Sequence, residues 1–147
     1  MITIDFKGIE LKLRPFEGSA QVFDHVRKIW VSLTPEEHVR QHILHYLSAK
    51  LHYPAALIAV EKQVLLGGLA KRFDIVIYNR EHNPWMLIEC KAPEVDITDA
   101  TLQQLLQYQH SMQCRYWVLT NGHQTFCADA RNIQQITWLK ELPAYNS

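Results

Sequence analysis

The sequence has little of three things that would point to a particular environment or partner. Its three cysteines, Cys90, Cys114 and Cys127, are an odd number without paired spacing, which favours neither a disulfide framework nor a zinc ribbon. Lys and Arg total 15 against 15 for Asp and Glu, so no bulk positive charge attracts nucleic acid unselectively. Any contact with DNA must therefore be local.

Long apolar runs are also missing. None approaches the roughly 18 residues that a membrane span needs, and the first residues lack the basic start and apolar stretch of a signal peptide. The sequence predicts a cytoplasmic protein without a membrane partner. With 48% apolar and 10% aromatic residues and no Pro-, Gly- or Ser-rich linker, it also predicts one globular domain over residues 1–147.

The first half of the chain contains clear signals for local structure. Apolar and polar residues alternate on both sides of Gly8 in residues 1–13, which predicts a short β-hairpin. Thr34-Pro35-Glu36-Glu37 predicts a helix start with a capping box between Thr34 and Glu37, and the helix should run from Pro35 to about Lys50. Residues 22–33 fit neither period and are left unassigned.

Three β-rich runs follow, at residues 56–66, 73–78 and 85–90, separated by Gly67-Gly68 and by a polar loop. Asp99 can cap a second helix to about Met112, and a strand is predicted at residues 116–119. Because a helix crosses over between the last two strands, these strands should pair in parallel. Residues 125–128 and 136–139 are candidate edge elements. The pattern indicates an α/β fold with a core at about residues 34–122 and an N-terminal β extension at 1–33.

A group of polar residues falls where two of these strands meet. Alternate side chains of a strand share a face, so Glu89 and Lys91 point together, whereas Ile88 and Cys90 point the other way. Asp74 lies in the preceding strand among apolar residues, where an ionised carboxylate needs compensation. Two carboxylates and a backbone carbonyl, that of Cys90, form an oxygen site of the kind Mg²⁺ accepts. Lys91 can orient water or offset charge on a phosphate.

Asp74 followed by Glu89-Cys90-Lys91 resembles the core motif of the PD-(D/E)XK nuclease superfamily. More narrowly, residues 34–122 resemble the N-terminal nuclease domain of type I restriction enzyme R subunits in a small stand-alone form. The resemblance implies a restriction-endonuclease-like core, a mixed central β-sheet flanked by helices in the order αβββαβ. Phe73 stands where the superfamily name expects proline. No phosphate-binding Gly-rich loop is present, so ATP-driven translocation is not predicted.

The resemblance also implies roles for individual residues. Asp74 and Glu89 would bind Mg²⁺, with Mn²⁺ as a substitute, and Lys91 would serve the attacking water. An acid on the first helix would assist, either Glu36 or Glu37. In RecB-like members a Gln and a Tyr four residues apart follow on the next helix, and Gln104 with Tyr108 matches that spacing.

Other polar residues have weaker indications. Arg40 can pair with either helix acid, and with Lys71 and Arg72 it is a candidate DNA contact. His38, His42 and His45 share a helical face, but no glutamate follows His38 as in a zinc protease motif, so a solvated or interface face is preferred. The role of Glu61 stays open.

Two functions are compatible with these residues. The first is Mg²⁺-dependent endonuclease cleavage of DNA in restriction or repair. The second is a DNA-binding or assembly module that keeps the nuclease fold and needs a partner to cut. Restriction-modification or motor subunits are possible partners, and a homodimer would allow both strands to be cut. Fold resemblance alone does not decide between them.

Overall fold

A computed structural model describes residues 1–132 and 134–146. It contains two β-sheets, two α-helices and two 3₁₀ turns. The strands are β1 (Leu13–Phe16), β2 (Ser19–Asp24), β3 (Ile29–Ser32), β4 (Ile58–Leu66), β5 (Leu69–Tyr78), β6 (Pro84–Cys90), β7 (Tyr116–Thr120), β8 (Thr125–Asp129) and β9 (Thr137–Trp138). The helices are α1 (Pro35–Ala49) and α2 (Asp99–Leu106), and the 3₁₀ turns are Ala55–Leu57 and Gln107–His110.

The larger sheet has the strand order β4-β5-β6-β7-β8-β9. Strands β4, β5 and β6 form an antiparallel meander. The chain then crosses over through α2, and β7 pairs with β6 in parallel. The predicted α/β fold and its order αβββαβ are confirmed, with β8 and β9 as two further antiparallel strands, of which β9 forms the edge.

The two helices cover opposite faces of this sheet. On one face, α1 packs Val39, Ile43, Leu44 and Leu47 against alternate residues of the strands, among them Ile88. On the other face, α2 contributes Leu102 and Leu105 to a second apolar cluster, whose sheet residues include Phe73, Val76, Leu87, Trp117 and Leu119. The central strands are buried on both faces, which is why their sequence is nearly continuously apolar.

Helix α1 begins as predicted, but its cap is simpler than a capping box. Thr34 Oγ1 accepts a hydrogen bond from the backbone N–H of Glu37 at 3.0 Å. In a capping box the Glu37 side chain would accept a hydrogen bond from the backbone N–H of Thr34. Here the Glu37 carboxylate accepts from Arg40 instead. An arginine three residues later offers a charged partner, which is stronger than a neutral backbone N–H.

Helix α2 begins one residue earlier and is shorter than predicted. Thr98, not Asp99, is the cap, and it forms a capping box with Thr101 in which the two hydrogen bonds measure 3.3 and 2.9 Å. The regular helix ends at Leu106, and the chain continues as the 3₁₀ turn Gln107–His110. Tyr108 therefore lies in this turn and not in the helix.

The N-terminal extension contains β structure, but the predicted hairpin at Gly8 is wrong. Ile2 forms a bridge with Thr125, through N–O distances of 2.6 and 3.2 Å, and packs into the α1-side cluster. The hairpins lie later, where β1, β2 and β3 form an antiparallel sheet from residues that had no clear assignment. Alternation predicts that a segment is half-buried, but it does not identify the strand that the segment will contact.

The turn between β4 and β5 fixes the register of the strands that carry the candidate site. Gly67 and Gly68 both have positive φ, +54° and +92°, as a two-residue type I′ turn requires. The pairing that follows brings Val60 opposite Ile75 and Lys62 opposite Phe73.

Within the described residues, neither helix is long and apolar enough to span a membrane.

Candidate active site

The two candidate metal-binding acids lie where β5 and β6 stop pairing. The last register pair of these strands is Ile75 with Ile88. Beyond it, side chains replace the backbone partners: Asp74 Oδ2 accepts from Cys90 N at 2.7 Å, and Glu89 Oε1 accepts from Asp74 N at 3.1 Å. The two carboxylates thus hold the strands together while allowing their backbones to separate.

The backbone is irregular at Asp74. Phe73 packs in the α2-side cluster and Ile75 in the α1-side cluster, although residues two apart in a regular strand share a face. Across from Asp74 lies Glu61, in a gap of the ladder between the pairs Val60–Ile75 and Lys62–Phe73, and its φ is +53°. A positive φ at a non-glycine residue is strained backbone of the kind that clusters at functional sites.

Glu89 and Lys91 line one cleft, on the α2 side. The cleft has a volume of about 100 Å³, and its other walls are Lys71, Thr101, Gln104, Leu105, Tyr108 and Leu119. Strand alternation therefore correctly placed the acid beside the base. Gln104 and Tyr108 face the same cleft, as their spacing predicted, while Thr101 was missed by sequence reasoning. The sequence signal of Thr101 is the helix start Thr98-x-x-Thr101.

Asp74 also lines a second, larger cleft of about 400 Å³ on the α1 side. Four acidic and two basic residues surround it: Glu36, Glu37, Glu61, Asp74, Arg27 and Arg40. Because carboxylates outnumber guanidinium groups, this cleft favours a cation. Together the two clefts give access to the Asp74–Glu89 pair from both faces of the sheet.

The two acids at the start of α1 have different environments. Glu36 is exposed, and its pKa is raised by partial burial and by the nearby Asp74 charge. Lys91 and Arg40 act in the opposite direction on the same carboxyl. Glu37 is 7% exposed and bonds to Arg40 and Gln41. The structure thus places Glu36 next to the candidate site and Glu37 in a buried network.

Arg40, a predicted DNA contact, is the centre of that network. It is 8% exposed, and its guanidinium pairs with Glu37, with Glu61 at 3.2 Å and with Asp74 at 3.5 Å. Burial alone would lower the pKa of Arg40, but these carboxylates outweigh it and raise it. Arg27 also pairs with Glu61, at 3.5 Å. The charge of Arg40 is therefore compensated within the protein, and its contact with DNA stays a prediction.

Lys71 and Arg72, the other two predicted DNA contacts, lie in different environments. The Lys71 ammonium lies 3.9 Å from Glu89 Oε2 and over the rings of Phe73 and Tyr108, at 5.1 and 5.5 Å from their centroids. Lys71 is thus a neighbour of the acid pair. Arg72 is exposed on the other side of β5 and remains free for a contact outside the protein.

In the isolated protein, burial and mutual repulsion disfavour the ionised forms of Asp74 and Glu89. Burial and the Asp74 charge raise the pKa of Glu89 to about 7. Burial also raises the pKa of Asp74, and the Cys90 N–H and Arg40 offset this only in part. Two carboxylates at close range with raised pKa values are what a site for an additional cation requires.

In the absence of divalent cations, Glu89→Gln should stabilise the fold at pH 8 by about 1–3 kcal/mol. Because the pKa of Glu89 rises on folding from 4.5 to about 7, the folded state holds the proton more tightly. The contribution of Glu89 to stability is therefore greatest below pH 4.5 and falls as the pH rises through 7, and the glutamine avoids this loss. Urea unfolding in EDTA at pH 8 and pH 4.5 checks it. Equal stabilisation at both pH values would contradict this electrostatic origin.

The ligands available to a cation here are oxygens. Burial raises the pKa of the Cys90 thiol well above its ordinary value, so the thiol is neutral. The Cys90 N–H points to Asp74, and the carbonyl of the same strand residue points to the same side. Among residues 1–132 and 134–146, no three His, Cys, Asp or Glu side chains converge as ligands. Asp74, Glu89 and the Cys90 carbonyl would leave several positions to water, an arrangement suited to Mg²⁺.

The histidines of α1 do not converge. The rings of His38 and His42 stack on each other with centroids 4.4 Å apart, and His42 also contacts Phe6. His45 lies against His25 instead, again at 4.4 Å. These contacts divide the predicted helical face into two separate pairs.

A family model described as the N terminus of type I restriction enzyme R proteins matches residues 35–143. The chain belongs to this family. The match spans α1 to the end of β9, and so includes every residue of the acid pair and both clefts except Arg27, Val31, Ser32 and Thr34. The strands β1, β2 and β3 precede the segment shared with the R-protein family.

Two solved structures resemble this R-protein family member in fold. One is a fragment of a candidate HsdR subunit of a type I restriction enzyme from Vibrio vulnificus, at 18% identity and a TM-score of 0.54. It aligns with 76% of this chain, which spans only 24% of that chain's length. The other is a candidate nuclease of the DUF820 group from Anabaena variabilis, at 12% identity, a TM-score of 0.50 and coverage of 87% and 80%. No curated protein matches the sequence. The chain is a restriction-endonuclease-like domain.

Proposed function

We propose that this chain is a Mg²⁺-dependent deoxyribonuclease domain that hydrolyses phosphodiester bonds in restriction, with Mn²⁺ able to replace Mg²⁺. The observation that carries the proposal is the exchange of hydrogen bonds between Asp74 and Glu89 at the point where β5 and β6 separate, with Lys91 on the Glu89 side. Family membership supports it, since the relatives are R proteins of restriction enzymes.

Asp74, Glu89 and the Cys90 carbonyl would hold the metal ion. When bound, Mg²⁺ polarises a phosphoryl oxygen and makes water a better nucleophile at neutral pH. The surplus of carboxylates and the raised pKa of Glu89 are the features of this chain that fit such an ion. Binding would also offset the repulsion between the two acids, because the charge of a divalent ion balances that of two carboxylates.

Lys91 shares the cleft with Glu89, where its ammonium would offset the negative charge that develops on the phosphate in the transition state. Gln104 and Tyr108, on the opposite wall, would orient the phosphate through hydrogen bonds. Glu36 approaches Asp74 from the α1 side, and its raised pKa makes it a better proton acceptor than an ordinary glutamate. Each of these groups acts on the same phosphodiester from a different wall.

Cleavage of supercoiled plasmid tests this proposal. The pure chain should nick or linearise plasmid with Mg²⁺ and lose this activity in EDTA, and Lys91→Ala should reduce the rate about 100-fold or more, as removal of one transition-state charge contact does. The exposed Lys140→Ala is the matched control and should keep the wild-type rate. Wild-type cleavage by Lys91→Ala would contradict the proposal.

A second candidate is a domain with the same site that cuts only when assembled with its partners. It is favoured by the balanced charge and by the short span, since the chain covers 24% of the HsdR-like chain that it resembles. DNA-translocating or restriction-modification subunits would then deliver the substrate. In that case the isolated chain binds Mg²⁺ but leaves the plasmid intact, and activity appears only after a partner is added.

A further inference from the structure

The hairpin formed by residues 62–73, called the ribbon here, extends beyond the rest of the sheet. Strands β4 and β5 continue to pair from Lys62 opposite Phe73 to Leu66 opposite Leu69. Strand β6 pairs with β5 only from Ile75 onwards in these fully described strands. The ribbon therefore projects about 14 Å past the acid pair as two strands alone.

One face of the ribbon is supported by the protein. Val64, Leu66 and Phe73 pack into the α2-side cluster, and Phe73 is fully buried. This support holds the ribbon in place, since an isolated two-stranded hairpin is only marginally stable in water. The other face is therefore presented at a fixed position relative to Asp74.

The outer face of the ribbon is exposed and mixed in character. Gln63 and Arg72 lie directly opposite each other across the strands, and both are exposed. Leu65 follows on the same face and is 77% exposed. Leu69 pairs with Leu66 at the tip, on the other face of the ribbon, and is 75% exposed. Large apolar side chains exposed to this degree at the outer end of the ribbon mark a contact surface there.

The charge of the ribbon identifies the kind of partner. It carries three cations, Lys62, Lys71 and Arg72, and no acid, in a chain whose net charge is zero. Lys71 is turned towards Glu89, which leaves Lys62 and Arg72 for an outside contact. A positive ribbon next to an acidic cleft complements a polyanion that continues past the cleft.

The position of the outer face connects it with the acid pair. Two residues from Gln63 and Arg72 towards the sheet lie Glu61 and Asp74, in the gap of the β4–β5 ladder between the pairs Lys62–Phe73 and Val60–Ile75. A duplex whose phosphate lies at Asp74 therefore runs along the outer face. The major groove of B-DNA, about 12 Å wide, admits a two-stranded β-ribbon.

We propose that the ribbon enters the major groove of duplex DNA beside the phosphodiester at the acid pair, with Gln63 and Arg72 facing base edges. Gln and Arg are the side chains that bond bidentately to adenine and guanine edges, and Leu65 and Leu69 provide apolar contact with thymine methyl groups. This inference rests on DNA being the substrate, as proposed above, but not on cleavage.

Binding of a labelled duplex of about 20 base pairs by the full chain, measured by fluorescence anisotropy in EDTA, tests the inference without catalysis. Loss of one bidentate contact is worth about 1–3 kcal/mol, so Arg72→Ala should weaken binding about 5- to 100-fold. The double variant Leu65→Ser/Leu69→Ser should weaken it as well. Arg131→Ala and Leu13→Ser, which change an exposed arginine and a 52% exposed leucine elsewhere, are matched controls and should bind like wild type.

Competition locates the contact on the duplex. Methyl green, which occupies the major groove, should displace the wild-type protein, whereas the minor-groove ligand distamycin should not. Displacement by distamycin alone, or equal affinities of Arg72→Ala and Arg131→Ala, would overturn the inference. So would a leucine double variant that binds DNA normally but no longer self-associates in light scattering, because the leucines would then contact a second copy.

The same variants separate this inference from the proposed nuclease function. If the wild type cuts plasmid with Mg²⁺ and Arg72→Ala keeps full affinity for the duplex, the ribbon contact is refuted and the nuclease proposal stands. A chain that binds through Arg72 but never cuts, with or without partners, refutes the nuclease proposal alone. Absence of duplex binding by the wild type overturns the ribbon inference.

Discussion

Arg40→Met should destabilise the fold by about 3–5 kcal/mol, because it removes the central cation of a buried carboxylate network. Glu37 is 7% exposed and pairs with Arg40 and, at 3.6 Å, with Arg27, while Arg40 also contacts Glu61 and Asp74. Methionine fills a similar volume, so the loss reports the charge more than a cavity. Urea denaturation at pH 7 measures it.

The matched control for this variant is Arg115→Met. Arg115 pairs with Asp129 at 3.4 Å but is 35% exposed, so water screens the pair and its loss should cost less than about 1 kcal/mol. A second variant, Arg40→Met combined with Glu37→Gln, should recover part of the stability, since the uncompensated charge is gone. If Arg40→Met costs no more than Arg115→Met, the network does not stabilise the fold as described.

Asp74→Asn should reduce the rate of DNA cleavage by about 1,000-fold or more, because it removes one of the two carboxylate charges that would hold the metal ion at the reacting phosphate. The fold should persist, since the asparagine Oδ1 can accept the hydrogen bond from Cys90 N that Asp74 accepts now. Single-turnover cleavage of a duplex with Mg²⁺ measures the rate, and thermal unfolding checks the fold.

A control for Asp74→Asn comes from a half-buried acid of β8. Asp129→Asn removes a carboxylate of similar chemistry that lies outside both clefts, and it should leave the rate unchanged. An Asp74→Asn protein that is folded and cuts at the wild-type rate would show that the carboxylate is not needed for hydrolysis.

Part of the site could be predicted because strands have a period of two. Glu89 and Lys91 share a strand, so their common face follows from the sequence, and the structure places both in one cleft. The parallel pairing of β6 and β7 also followed from the helix between them. Both inferences depend on local geometry, which a sequence pattern records directly.

One neighbour of the site could have been predicted but was not. Gly67-Gly68 is a signal for a two-residue turn, and such a turn fixes the register of the strands on both sides. Counting back from it places Glu61 opposite Asp74, as in the structure. The sequence pattern of β4 alone leaves the role of Glu61 open, because only the pairing of β4 with β5 brings Glu61 next to Asp74.

The roles of Arg40 and of the two helix acids could not be predicted. Glu36 and Glu37 are adjacent on α1, and only the packing angle of the helix against β5 decides which one turns to Asp74 and which to Arg40. The spacing of Arg40 allowed either acid as a partner. Its burial by contacts from β4 and β5 is a tertiary effect, since Glu61 and Asp74 lie more than twenty positions away along the chain.

Isothermal titration calorimetry with Mg²⁺ and Mn²⁺ at pH 8, on the wild-type protein and on Asp74→Asn, tests directly whether the acid pair binds a divalent cation. The wild type should bind one ion of either metal per chain, and binding should release little or no proton at this pH because Glu89 is already ionised above its pKa of about 7. Asp74→Asn should show no saturable heat. A folded wild type without metal binding, or equal binding by Asp74→Asn, would contradict the assignment of the site.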